Sequence, residues 1–393
     1  MTEYILHKEK SKCYGCRACE KVCSQKAITM EPDDEGFLYP VLNESLCINC
    51  GLCKKVCPYD NDFSVYEPIS VYALQHNSED ILSGSSSGGA FSALADYVTE
   101  NGGAVCGCVF DDNFRAVHRV AENTAVIEKM KGSKYVQSDT ADSFTEVKVR
   151  LEKGQTVLFT GTPCQVDGLK RFLKKDYENL VTVDLICHGV PSPLLLSEYI
   201  KYTENNKGKI TDLKFRDKLR NGWRSEGTVV YKIGEKKKVL TISPFKDSYY
   251  NLYYMRNSVS RMCCYFCKYA THKRVGDFTI GDYWNIPDVV PQIEYDKGVS
   301  VVFANTKKAE NILNELKDNV VLYETELSSA VKGNGNLSKP SEMPEARKNI
   351  YKKITEKGYE ATVKEECNFS YVIPFIKRHL PKGLKKYLKK VLG

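Results

Sequence analysis

No stretch of this sequence approaches the roughly 18 consecutive apolar residues that a membrane-spanning helix requires. The first residues, Met-Thr-Glu-Tyr-Ile-Leu-His-Lys, also lack the apolar core of a secretion signal. Both absences point to a reducing cytoplasm, where sixteen cysteines serve as thiolates rather than disulfides. Basic patches interleaved with aromatics are missing too, which argues against a nucleic-acid partner. The net charge of +7 does not restore that reading. Residues 376–393 carry seven Lys or Arg and no acid, and without them fifty basic residues face fifty acidic ones. Otherwise the composition is that of an ordinary globular protein, and 393 residues suffice for two or three domains with proper cores.

What the chain has in abundance is cysteine at one spacing. Cys13-x2-Cys16-x2-Cys19-x3-Cys23 and Cys47-x2-Cys50-x2-Cys53-x3-Cys57, the second closed by Pro58, repeat the bacterial two-cluster ferredoxin run. In that run three thiolates hold one [4Fe–4S] cluster and the fourth crosses to the other. Cys13, Cys16, Cys19 and Cys57 are therefore assigned to one cluster, and Cys47, Cys50, Cys53 and Cys23 to its partner. Gly15 and Gly51 lie inside the loops, where a missing side chain lets the backbone approach the cluster. Ser24 replaces the usual proline after the fourth cysteine, a change that loosens a turn without removing a ligand. A doubled run of this kind is not a zinc spacing.

The expected organisation is an α+β ferredoxin module over residues 1–65, followed by an α/β flavin-binding domain over 70–325 with a β-rich insertion, and a helical C-terminal tail over 326–393. The α/β domain divides into an N-terminal part, about 70–150, and a C-terminal part, about 155–325. Its pattern starts as strand 71–75, a Ser/Gly loop ending in Ser87-Gly88-Gly89, an apolar helix 90–100 and a buried strand 104–110. Helices are expected at 124–130, 143–153 and 166–173, and strands at 156–160 and 180–186, with Gly161-Thr162-Pro163-Cys164 as a turn. The insertion spans about 211–242. Residues 328–345, rich in Gly, Asn, Ser and Pro, read as a surface excursion.

Eight cysteines remain. Cys106 and Cys108 lie in an apolar strand and read as small buried hydrophobes. Cys164 and Cys187 follow strands, where α/β proteins gather their active-site loops, and Cys264-x2-Cys267 offers a two-ligand turn. From spacing alone, these four can supply a third cluster or be isolated buried thiols.

Six segments together resemble one family: Ser87-Gly88-Gly89, Lys131-Gly132-Ser133-Lys134-Tyr135, Gly161-Thr162-Pro163-Cys164-Gln165, Cys187-His188-Gly189-Val190-Pro191, Cys264-Tyr265-Phe266-Cys267-Lys268 and Asp277-Phe278-Thr279-Ile280-Gly281-Asp282-Tyr283-Trp284. The resemblance is to the coenzyme F420 hydrogenase/dehydrogenase beta-subunit family, over about residues 70–325. It implies an FAD-binding α/β fold with a [4Fe–4S] cluster beside the flavin, so that the chain holds three clusters in all. The family's cluster cysteines fall on Cys164, Cys187, Cys264 and Cys267; Cys263 is an extra neighbour, and the Cys-x-x-Cys spacing favours Cys264. Ser87, Gly88, Gly89, Lys134, Tyr135, Gly161, Thr162 and Asp282 are the expected flavin contacts. The Ser/Gly loop before a helix N-terminus is a ready anion site, with Lys134 supplying charge and Tyr135 an aromatic face. His188 and Asp282 are the candidate catalytic residues, His188 as a proton donor.

The expected function is an iron–sulfur flavoprotein oxidoreductase. It exchanges electrons with a soluble ferredoxin or similar one-electron carrier and reduces or oxidises a small-molecule substrate by hydride transfer. The alternative is an electron-transfer subunit serving a partner enzyme, without a substrate of its own. Oligomerisation stays open. In the tail, Leu380, Leu384, Leu388 and Leu392 recur at i+4 among lysines, a pattern that suits an anionic membrane surface, an acidic protein or a solvated helix, the last ranked first.

Overall fold

The computed structural model describes residues 9–61, 65–218 and 222–367. The leucine–lysine pattern of the tail lies outside the described residues. Thirteen strands are present: β1 (Ile28–Pro32), β2 (Leu38–Leu42), β3 (Ser70–His76), β4 (Ala104–Phe110), β5 (Ala116–Ala121), β6 (Val157–Gly161), β7 (Leu180–Leu185), β8 (Lys209–Lys214), β9 (Gly227–Ile233), β10 (Lys236–Ile242), β11 (Phe278–Asp282), β12 (Ser300–Ala304) and β13 (Val320–Glu324) among the described residues. The cysteine module contributes the β1–β2 hairpin, and the insertion is the antiparallel sheet β10-β9-β8. The remaining eight strands form one sheet in the order β13-β3-β12-β11-β7-β6-β4-β5.

At the centre of that sheet β4, β6, β7 and β11 run parallel, flanked by antiparallel neighbours on both edges. Every residue of β6 and β12 is buried, as expected for strands covered on both faces. One face packs on the helices Ala90–Glu100 and Lys307–Glu315, through Ala93, Leu94, Val98, Ile312 and Leu313. The other face carries the helices Ser143–Glu152 and Pro163–Leu173, whose core also takes in Tyr14, Cys16, Ala18 and Val56 of the N-terminal module. The module is thus built into the domain's core.

Two expectations need correction. The helix after β6 starts three residues early, at Pro163, because Thr162 and Gln165 form a reciprocal capping box and proline suits the first helical position. Cys164 is therefore in a helix's first turn, not in a loop. Residues 328–345 are not a surface excursion. The helix Leu327–Gly333 buries Ala330, and Leu337 is fully buried against Val71, Phe303 and Tyr283. Glycine serves close approach there: a Cβ on Gly333 would come within 2.2 Å of Asn285 Oδ1. Downstream, the helices Ile350–Lys357 and Tyr359–Glu366 carry both charge signs and seat Tyr351 and Tyr359 in the core with Tyr199 and Tyr249.

A buried ion pair ties β7 to the chain entering β11. Asp184 is inaccessible, and its Oδ1 accepts from Arg274 Nη2 at 2.6 Å and Nε at 3.0 Å, while Oδ2 accepts from the amides of Val275 and Gly276. Removing one partner strands the other charge without water. Arg274→Ala is expected to cost about 3–5 kcal/mol in denaturant unfolding; a loss within about 0.5 kcal/mol, as at an ordinary surface site, would contradict that role.

Candidate functional site

The first cysteine loops bend through left-handed backbone at Gly15 (φ 69°) and Arg17 (φ 64°), the second through Asn49 (φ 54°) and Gly51 (φ 70°), so the two halves share one geometry. Amides point at sulfur in both: Gly15 N donates to Cys13 Sγ at 3.4 Å and Asn49 N to Cys47 Sγ at 3.4 Å. Cys13, Cys16, Cys19 and Cys57 line one small cavity with Pro58. Burial, and then the neighbouring thiols Cys13 and Cys57, hold the Cys19 thiol well above its ordinary pKa; burial pushes Cys57 to about 11. Cys23 and Cys53 pack together around Ile28.

The larger cavity, about 310 Å³, opens at the carboxyl ends of the parallel strands, where open α/β sheets bind ligands. Cys164, Cys187, Cys264 and Cys267 all line it, with Cys263 beside them. Cys164 comes from the first turn after β6, Cys187 from the end of β7, and the last two from the 3₁₀ turn Met262–Phe266 and its exit. Burial raises the pKa of Cys187 and Cys267 to about 12, the neighbouring thiols add to the rise at Cys164, Cys187 and Cys267, and Cys264 is raised first by Cys263 and then by burial. Thiols held so high lose their protons only to a metal centre that compensates the charge, and soft sulfur ligands select iron–sulfur clusters, zinc or copper(I). Among the described residues, no three His, Cys, Asp or Glu side chains converge on a single-ion position.

The motifs do meet around this cavity, though several side chains take other employment than expected. Ser86 Oγ accepts from Ser133 N at 2.8 Å, which joins the Ser/Gly loop to the Lys131–Tyr135 segment. Gly88 is a packing position: its amide donates to Ser300 Oγ at 2.9 Å, and a Cβ would come within 2.1 Å of Leu74 O. Gly89 (φ 87°) turns the chain into the helix Ala90–Glu100, and Ser87 Oγ donates to Val299 O. Lys134 lines the cavity, but its ammonium is engaged by the backbone. Its ammonium donates to the carbonyls of Lys129, Met130, Lys131 and Gly132 at 2.8–3.1 Å, closing the helix Thr124–Met130, and burial lowers its pKa to about 8. Tyr135 lines the cavity from an aromatic cluster with Phe215, Tyr250 and Tyr253.

Asp282 is likewise committed. It pairs with Arg216 Nη1 at 2.5 Å and accepts from Trp223 Nε1 at 2.9 Å, so it anchors the insertion against the cavity instead of standing free as an acid or base. Trp223 stacks on Trp284 with centroids 4.9 Å apart. His188 stands on the cavity wall, where burial lowers its pKa and Asp282 opposes that shift. Gly161 and Thr162 also line the cavity, with Thr162 Oγ1 3.2 Å from Cys164 Sγ.

Two lining residues carry no sequence signal. Ser92 Oγ and His118 Nδ1 are buried without hydrogen-bond partners, and both residues face this cavity. His118 is tied through Nε2 to Thr160 O at 3.0 Å; with Nε2 protonated, Nδ1 is left as an acceptor. Burial lowers the pKa of His118 to about 4, so the ring is neutral. Buried polar atoms without partners are rare, and a pair of them in one cavity fits a polar ligand.

Residues 71–144 match the family model for the amino-terminal part of the coenzyme F420 hydrogenase/dehydrogenase beta subunit, and residues 154–330 match the model for its carboxy-terminal part. The chain belongs to this family. Residues 12–61 match a 4Fe-4S dicluster domain, so it is an iron–sulfur oxidoreductase of that family. A coenzyme F420-dependent sulfite reductase from Methanocaldococcus jannaschii is 26% identical over 331 residues, which cover 80% of this chain and 48% of the relative. The chain therefore spans about half the length of that protein. A chain of the F420-reducing [NiFe] hydrogenase complex from Methanosarcina barkeri aligns over 78% of this chain and 94% of its own length, at 17% identity and a TM-score of 0.45. No helix among the described residues is long and apolar enough to cross a membrane.

The first cysteine loop touches the helix that carries Cys164. A Cβ on Gly168 would lie 2.9 Å from Cys16 Cβ and 3.0 Å from Cys16 Sγ, and Gly168 sits one turn beyond Cys164 on the same helix. Gly168→Val should displace Cys16 and lower bound iron by about four per chain; unchanged iron in the purified variant would refute the contact.

Proposed function

We propose that the chain carries electrons between its N-terminal clusters and a flavin held in the larger cavity, and exchanges hydride with a small substrate there. The observation that carries this reading is the contact of Cys16 with Gly168, one helical turn (about 5.4 Å) from Cys164. Tyr14 lines both cavities, with its ring 5.4 Å from that of Tyr269, so its ring stands between the two cysteine groups. Cys13, Cys16, Cys19 and Cys57 hold one cluster, Cys23, Cys47, Cys50 and Cys53 a second, and Cys164, Cys187, Cys264 and Cys267 a third.

FAD, when bound, supplies the conversion between one-electron and hydride chemistry. The open first turn of the helix Ala90–Glu100 suits its pyrophosphate, with Ser92 as an additional donor. His118 Nδ1 accepts from a ligand donor, and Tyr135 and Trp284 offer aromatic surfaces. His188, on the cavity wall, holds a proton within reach of the ligand. Arg216, Lys218 and Asp282 keep the Ser/Gly loop in place: Arg216 Nη2 donates to Ser86 O at 3.1 Å and Lys218 Nζ to Leu82 O at 2.7 Å. A soluble ferredoxin suits the N-terminal module as electron partner. A deazaflavin of the F420 class is the hydride partner suggested by the family and by the relative's name.

The half-length match to the sulfite reductase favours a second reading, an electron-transfer subunit for a separate enzyme. Turnover by the isolated chain separates the two, since a conduit reduces dyes and forms no product. Cys264→Ala should remove one cluster and abolish flavin reduction by reduced ferredoxin in stopped-flow mixing, while free flavin affinity stays near that of the parent. Full-rate flavin reduction in a variant lacking that cluster would overturn the relay.

A further inference from the structure

Four arginines among the described residues are more than nine-tenths buried: Arg216, Arg261, Arg274 and Arg347. Three have a carboxylate within ion-pair distance, namely Asp282, Asp184 and Glu35. Arg261 differs. It is completely inaccessible, and its guanidinium donates only to neutral oxygens: Cys13 O at 2.8 Å, Leu38 O at 2.8 Å and Gln137 Oε1 at 3.0 Å. Its remaining neighbours include the rings of Tyr39, 4.1 Å away, and Phe37, 5.3 Å away. No Asp or Glu among the described residues pairs with it. Guanidinium does not lose its proton in proteins, so this is a buried positive charge without a protein counter-ion.

The position of the charge shows what balances it. The side chain reaches the carbonyl of Cys13, in the first cysteine loop of the N-terminal module. The backbone belongs to the other group: Cys264 N donates to Arg261 O at 2.9 Å, and Arg261 N donates to Val190 O at 2.9 Å, three residues after Cys187. Gly15 leaves room for the guanidinium, since a Cβ there would lie 3.0 Å from Nη1. Arg261 thus spans the space between two sets of cysteines, each of which would become negatively charged on ligating a cluster.

We propose that Arg261 is the shared counter-charge of the Cys13 cluster and the Cys164/Cys187/Cys264/Cys267 cluster, and that it raises the reduction potential of both. This rests on the relay reading above for the second cluster. A cluster with four thiolates is negatively charged, and taking up one electron makes it more so, with no proton or bond change required. A fixed cation at short range in a site without water favours the more reduced form, and net charge and hydrogen bonding are known determinants of cluster potential.

The test is an EPR-monitored potentiometric titration of the whole protein, with iron counted in the same samples. Arg261→Gln keeps a donor toward Cys13 O and loses the charge. Two of the three potentials should fall by at least tenfold in the reduction equilibrium, about 59 mV for one electron. The cluster of Cys23, Cys47, Cys50 and Cys53 should hold its value, and Arg261→Lys should restore most of the loss. If Arg261→Gln fails to assemble, Gln137→Glu decides, because it places a carboxylate against the intact guanidinium and should produce the same two shifts. Unchanged potentials, or three equal shifts, would overturn the proposal. Parent protein with about eight irons instead of twelve would sink the third cluster and the relay, while the Cys13 cluster alone would still judge Arg261.

Discussion

The contact of Cys16 with Gly168 is the constraint on which the rest of the molecule depends. A cysteine of an N-terminal module can approach a helix this closely only where that helix has no side chain, and only Gly168 in the Pro163–Leu173 helix meets the condition at that spot. The same helix begins with Cys164. One small residue therefore sets the separation between two cysteine groups that lie almost 150 positions apart in the chain. Around it the docking is held by charges: Arg17 pairs with Asp139, Lys21 with Asp142 and Arg347 with Glu35, while Lys268 donates to the carbonyls of Pro58 and Asn61. The partly buried, two-pronged pairs Arg17–Asp139 and Arg347–Glu35 fix orientation better than the exposed Lys21–Asp142 pair.

The large sheet serves the same end. Its parallel centre brings the ends of β6, β7 and β11 to one rim, which is why three chain segments deliver Cys164, Cys187 and Asp282 to one cavity. The segment around Asn334 and Asn336 lines that rim, and the chain leaving β8 braces it from behind. Asn334 donates to Asp282 O, and Arg216 reaches Asp282 from the end of β8.

Local pattern made much of this legible. The apolar helix at Ala90–Glu100, the buried strand at Ala104–Phe110 and the amphipathic helix at Thr124–Met130 stand where periodicity and breaker residues place them. Cysteine spacing singles out the N-terminal group because it reflects short-range geometry, whereas Cys164, Cys187, Cys264 and Cys267 are joined only by the family resemblance. What stayed hidden depends on partners far away in sequence. Lys134 looks like a phosphate ligand until its ammonium is seen closing a helix end, and Asp282 looks like a free acid until Arg216 is found against it. Residues 328–345 look like a loop by composition, yet their Gly and Asn allow a close fit over the sheet. Ser92, His118 and Arg261 belong to no motif; a buried polar atom without a partner marks the first two, and a buried charge without a carboxylate marks the third.

The most direct test of the central claim is iron and flavin content per chain after anaerobic purification. The account predicts about twelve irons, three clusters of four, and one FAD. About eight irons and no flavin would contradict it, leaving a two-cluster module fused to an α/β domain without redox chemistry of its own.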